Sequence, residues 1–76
     1  MKEVLELIIK SLVDNQNAVS IEETITEKNI DFKVSVAADD MGKVIGKQGK
    51  IAKSIRTLIK SLSAKEGKRV NIEFLD

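Results

Sequence analysis

The residues best placed to do chemistry lie in one short run, Val44-Ile45-Gly46-Lys47-Gln48-Gly49-Lys50. Two glycines so close together let the backbone turn tightly with no side chain on its outer edge, so another polymer's backbone can come close. Lys47 and Gln48 stand at the tip of that turn, and Lys43, Lys50 and Lys53 flank it. A helix that begins at Lys50 adds its first N–H groups and the positive end of its dipole to the same place. Cations, an amide and free N–H groups are a set for holding phosphate. The nucleotide-binding motifs fail on spacing: a Walker A loop needs glycine five places after Gly42, where Lys47 stands, and Gly-x-Gly-x-x-Gly has no match.

Other chemistries are short of parts. The chain has no Cys and no His, which removes thiol nucleophiles, disulfides, imidazole bases and the usual zinc ligands. Glu22-Glu23 and Asp39-Asp40 are the only paired carboxylates, and adjacent residues do not converge on one point. An enzyme is not expected, nor a metal or other cofactor. Apolar runs such as Leu7-Ile8-Ile9 are far too short for a membrane span or an export signal, so a cytoplasmic protein is expected.

The net charge of +1 conceals a segregation. Residues 1–40 sum to −5, residues 41–60 carry Lys43, Lys47, Lys50, Lys53, Arg56 and Lys60 with no acid, and residues 61–76 balance. A neutral chain that confines its cations to one stretch has a directional field suited to an anionic partner. A solvated helix face with charges of one sign would read the same way.

The elements that must position this run can be read from periodicity. Val4, Leu5, Ile8, Ile9 and Leu12 form one face of a helix over 3–13, ended by Asp14-Asn15-Gln16-Asn17. Val19, Ile21, Glu23 and Ile25 suit a half-exposed strand, with a bulge or fraying expected at Glu22-Glu23. Ile30, Phe32, Val34 and Val36 alternate cleanly with polar residues, and the two strands read as an antiparallel hairpin. Asp39 or Asp40 is the expected N-cap of a short helix over 40–45. A longer helix follows from Lys50 to Ala64, with Ile51, Ala52, Ile55, Leu58, Ile59 and Leu62 between about 80° and 200° on a wheel that starts at Lys50. Lys50, Lys53, Arg56 and Lys60 fall between about 240° and 360°. Gly67 ends the helix, and Val70, Ile72 and Phe74 mark a last strand. The order is α-β-β-α-α-β in one α+β domain spanning residues 1–76. A two-helix crossover makes the last two strands parallel, so a three-stranded mixed sheet with all three helices on one face is expected.

Ile45-Gly46-Lys47-Gln48-Gly49 resembles the GXXG signature of KH domains, and the element order matches their bacterial type II arrangement. The longer run from Asp39 to Leu58 is similar to the small stand-alone KH proteins of the KhpA (YlqC-like) family. One departure from the broader pattern VIGxxGxxI is Ala52, with Ile51 a place earlier. The resemblance implies a binder of single-stranded RNA whose loop clamps the backbone of about four nucleotides beside a groove that reads bases. Carried onto this chain, Gly46 and Gly49 permit close approach, Lys47 and Gln48 contact phosphates, Val44 and Ile45 form groove wall, and Lys43, Lys50 and Lys53 add charge. The resemblance also implies a homodimer, or a heterodimer with a larger KH protein of the Jag/KhpB type. It further implies RNA-chaperone-like, post-transcriptional regulation linked to cell elongation and cell-wall homeostasis.

The aromatic content fits. Folds that stack bases need exposed rings, and this chain has only Phe32 and Phe74, both in the inward register of strands. Arg56 and Lys60 are left unassigned. Leu7 and Val13 lie beyond the main stripe of the first helix, and Leu58 and Leu62 lie on the edge of the last helix's apolar face, where dimerisation is expected. Two other functions stay open: a protein–protein module that keeps the fold, and duplex DNA binding through the basic helix.

Overall fold

The computed structural model describes residues 1–75. Helix α1 runs Lys2–Leu12, followed by strands β1 (Ser20–Ile25) and β2 (Asn29–Ser35), helices α2 (Met41–Ile45) and α3 (Lys50–Ser63), and strand β3 (Arg69–Leu75). The sheet order is β1-β2-β3. β1 and β2 are antiparallel, Ile21 opposite Val34 and Glu23 opposite Phe32. β2 and β3 are parallel, Phe32 opposite Ile72. The mixed α+β architecture is the one the element order predicts.

The hairpin register is continuous from Ser20–Ser35 to Ile25–Ile30, so the bulge expected at Glu22-Glu23 is not formed. Opposite-sign pairing of Glu22 with Lys33 favours the unbroken ladder. Thr26 closes the turn: its Oγ1 accepts from the Asn29 N–H at 3.0 Å, and its own N–H donates to the Asn29 carbonyl at 2.8 Å.

One cluster forms the core. Ile30, Phe32 and Val34 of β2 meet Leu5 and Ile9 of α1, Val44 of α2, Ile55 and Ile59 of α3, and Val70 and Ile72 of β3. The helices therefore cover a single face of the sheet. Val13 belongs to the core as well, contrary to its expected place off the stripe of the first helix. It is the C-cap of α1 and has extended backbone, with φ −102° and ψ 155°, so the helical wheel no longer applies to it.

α3 is turned further than its leucines suggest. The buried positions are Ala52, Ile55, Ile59 and Ser63. These lie between about 140° and 220° on the wheel that starts at Lys50. Ile51, Leu58 and Leu62 are left on an exposed flank. Ser63 tolerates burial because its hydroxyl donates to the Ile59 carbonyl at 2.8 Å.

Candidate nucleic-acid interface

α2 carries the loop, and α2 is anchored by a carboxylate. Asp40 is 3% exposed, but it makes no side-chain cap bond to the helix that it precedes. The expected N-cap role is not the one Asp40 performs. Its two oxygens instead accept N–H bonds from Asp14 at 3.3 Å and Asn15 at 3.0 Å, in the turn that follows α1. Lys43, one turn into α2, lies 3.4 Å from Asp40 and is ion-paired to Asp14. The Asn15 N–H is the main influence that holds the Asp40 carboxyl below the usual carboxylate value. The Asp14 N–H and the Lys43 ammonium act in the same direction, and burial acts against them. The hydrogen bond to Asp14 raises Lys43 above the ordinary lysine value. Most of this clamp leaves no trace in sequence spacing, because Asp14 and Asn15 lie 25 to 29 positions from Asp40 and Lys43; only the Lys43–Asp40 pair, three apart, has helical spacing.

Downstream of α2 the chain makes the turn the glycines predict. Gly46 adopts φ 72° and ψ −179°, a region essentially closed to other residues. A Cβ there would sit 2.6 Å from Cγ1 of Ile51. Gly49 is left-handed at φ 73°, with open space where a Cβ would go. Between them Gln48 is also left-handed, at φ 57° and ψ 26°, and it alone does so without being glycine among the described residues. The loop is a single 3-10 turn, Lys47–Gly49, and α3 starts at once from Gly49.

The structure brings most of the expected site residues to one surface. Lys47 and Gln48 are exposed at the tip, Ile45, Gly46 and Gly49 are half-buried beneath them, and Lys50 and Lys53 are exposed along the first turns of α3. Among the described residues none of Lys47, Lys50 and Lys53 forms an ion pair. Two expected residues stand apart. Val44 has no exposed surface, so it can shape a groove wall only from behind. Lys43 spends its charge on Asp14 and Asp40.

Of two residues outside the expected set, one shares this surface and the other leaves it. Ile51 is 37% exposed and packs against Gly46, so it offers apolar area beside the loop. It follows Gly49 by two positions, which is the only trace of that role in the sequence. Arg56 turns away from the stripe toward β3, donating from Nε to the Ile72 carbonyl at 3.3 Å. Its guanidinium lies 5.3 Å from the centre of the Phe74 ring.

A glycine-bounded turn between two short-spaced helices, set on a mixed sheet with its last two strands parallel, is the arrangement of a KH domain. Comparison with known proteins narrows this class. The family model for the KH domain of KhpA/KhpB matches residues 2–74, and the chain belongs to that family. The family is one of KH domains and not of enzymes. The chain is similar to the RNA-binding protein KhpA of Clostridium acetobutylicum, 53% identical over 75 residues that cover 99% of this chain and all of that protein. It is 49% identical over 75 residues to the protein of the same name in Clostridium perfringens, again covering 99% of this chain and all of the relative. The Listeria monocytogenes protein of that name is 42% identical over 76 residues, the full length of both. No solved structure gives a significant match.

Proposed function

We propose that this protein binds single-stranded RNA, with Gly46–Gly49 as the seat of the phosphate backbone. The observation that carries the reading is the loop itself: exposed Lys47 and Gln48, the latter on left-handed backbone, at the start of α3, with Lys50 and Lys53 behind them and without ion pairs among the described residues. Gly49, with open space where a Cβ would go, keeps the outer backbone clear, Gly46 makes room for Ile51, and the first N–H groups of α3 add partial positive charge. Ile45 and Ile51 supply the apolar wall. Lys43 supports the loop from behind more than it contacts RNA. The name carried by the relatives, RNA-binding protein KhpA, supports the same reading.

The test is a titration of short single-stranded RNAs against wild type and Lys47→Asp/Gln48→Asp at two salt concentrations. Wild type binds, with affinity falling by a log–log slope of about 0.7 for each phosphate contacted. The doubly substituted protein stays folded by circular dichroism and loses binding. Equal binding by the two proteins overturns the assignment of the loop.

The exposed flank of Leu58 and Leu62 favours a companion reading in which the domain pairs with a second copy, or with a larger KH protein of the Jag/KhpB type. Light scattering at high micromolar concentration gives a dimer mass if the homodimer forms, and a monomer mass leaves only the heterodimer. A chaperone-like, post-transcriptional role in cell elongation and cell-wall homeostasis, carried out in the cytoplasm, is supported by the family likeness. No helix among the described residues is long and apolar enough to cross a membrane.

A further inference from the structure

We infer that the protein has a second phosphate-binding surface at the far end of α3, which holds the same RNA strand beyond the nucleotides clamped by the loop. This rests on the reading of the loop as an RNA site. The basic stripe of α3 does not stop at Lys53: Lys60 lies on it, about 15 Å further along the helix axis than Lys50. Lys60 also lines a surface pocket with Ser63, Lys68, Arg69 and Asn71, between the end of α3 and the start of β3. Arg69 continues into an adjoining depression with Lys28, whose carbonyl accepts the Arg69 N–H at 2.9 Å.

The charge here is in excess. Residues 60–71 hold Lys60, Lys65, Lys68 and Arg69 against the single acid Glu66. Among the described residues none of these cations forms an ion pair. Nearby, Asp31 accepts a hydrogen bond from Asn71 at 2.9 Å. Lysines at a helix C-terminus interact with its dipole, which accounts for Lys60 and Lys65. Lys68 and Arg69 lie beyond Gly67, outside the helix, and that account does not reach them. Asn71 also lines the pocket, and its amide has a second N–H beside the one given to Asp31. Lys50 and Lys53 connect it to the loop, so one extended strand can follow the cations from end to end.

The test uses single-stranded RNA of randomised sequence, about twelve nucleotides long, so that it outreaches the roughly four held by the loop. Four proteins are compared: wild type, Lys60→Gln/Lys68→Gln/Arg69→Gln, a control triple Lys2→Gln/Lys10→Gln/Lys33→Gln of equal charge loss, and Lys47→Asp/Gln48→Asp. The pocket triple is expected to bind about tenfold more weakly and to lose about 2 from the salt slope, while the control triple stays near wild type. Equal affinities for the two triples, each folded by circular dichroism, overturn the second surface and leave the loop standing. A loop variant that binds as wild type does overturns the loop reading instead. Wild type that binds no RNA overturns both.

Discussion

The two ends of α2 hold similar residues in opposite conditions. At its start, Asp40, Lys43 and Asp14 are drawn together, and Asp40 is buried with its oxygens occupied. At its end, Lys47 and Gln48 are exposed, Gln48 is on left-handed backbone, and Lys47 has no ion pair among the described residues. A lysine within one turn of either end could serve either purpose. Local neutralisation decides: Lys43 fixes α2 against the turn after α1, and Lys47 keeps an exposed charge that the proposed RNA contact can use. The clamp and the loop are coupled, because α2 is only five residues long and carries whatever constraint its first turn receives to its last.

The largest break should come at the loop. Gly46→Ala places a methyl group 2.6 Å from the Ile51 side chain in a backbone region that alanine avoids. Strain and overpacking together are expected to cost about 3 kcal/mol, measured by urea denaturation. Gly49→Ala, with open space around it, should cost only about 1 kcal/mol for its left-handed backbone. Equal losses would show that the contact with Ile51 does not govern the turn.

Asp40→Asn tests the clamp through pH. The folded carboxyl titrates below the usual carboxylate value. It therefore contributes stability above that range, and the contribution is lost as the pH falls through the depressed folded value. The variant should be less stable at neutral pH, and the gap from wild type should close under acid, followed by thermal melts. A gap that does not change with pH would mean that the carboxylate charge is not what holds the turn after α1.

Exchanging the two lysines sharpens the comparison. Lys43→Gln should lower stability more than RNA affinity, and its effect on stability should fade as the pH rises through the elevated amine value. Lys47→Gln should leave the melting temperature unchanged, weaken RNA binding several-fold and reduce the salt slope by about 0.7. Matching profiles for the two would erase the distinction between the ends of α2. The smallest effect is expected of Gln48→Gly, which relieves a left-handed side chain but frees the unfolded chain, for a net change below about 1 kcal/mol.

Much of the fold is legible in the sequence because its elements announce themselves locally. Ile30, Phe32 and Val34 alternate and are buried; Ile55 and Ile59 repeat at helical spacing and are buried. Gly46 and Gly49 make the turn that two close glycines suggest, since the reason for them lies in their own backbone angles. The misreadings share a different origin. Asp40 looks like a helix cap until its partners arrive from the turn after α1. Val13 leaves the core only on a wheel that ends one residue too late. Leu58 and Leu62 pull the apparent apolar centre of α3 away from its true contact line, which runs through Ala52 and Ser63, two residues with little hydrophobic weight. Arg56 belongs by sequence to a basic stripe and by contact to β3. In each case the outcome was set by the fold around the residue and not by its spacing alone.

The parallel pairing of β2 with β3 bears on how the molecule comes together in time. Every partner in that ladder lies 40 positions along the chain from its opposite, whereas the β1–β2 hairpin closes across a short turn. Local pairings form fast, and distant ones must first meet the entropy of closing a long loop. The hairpin is therefore expected to form before β3 docks, and the stretch that waits is the one that contains the glycine turn. Folding rate should accordingly respond to substitutions in the hairpin, and unfolding rate to those in the turn and β3. The segment proposed to meet RNA would then be among the last to become rigid and the first to loosen.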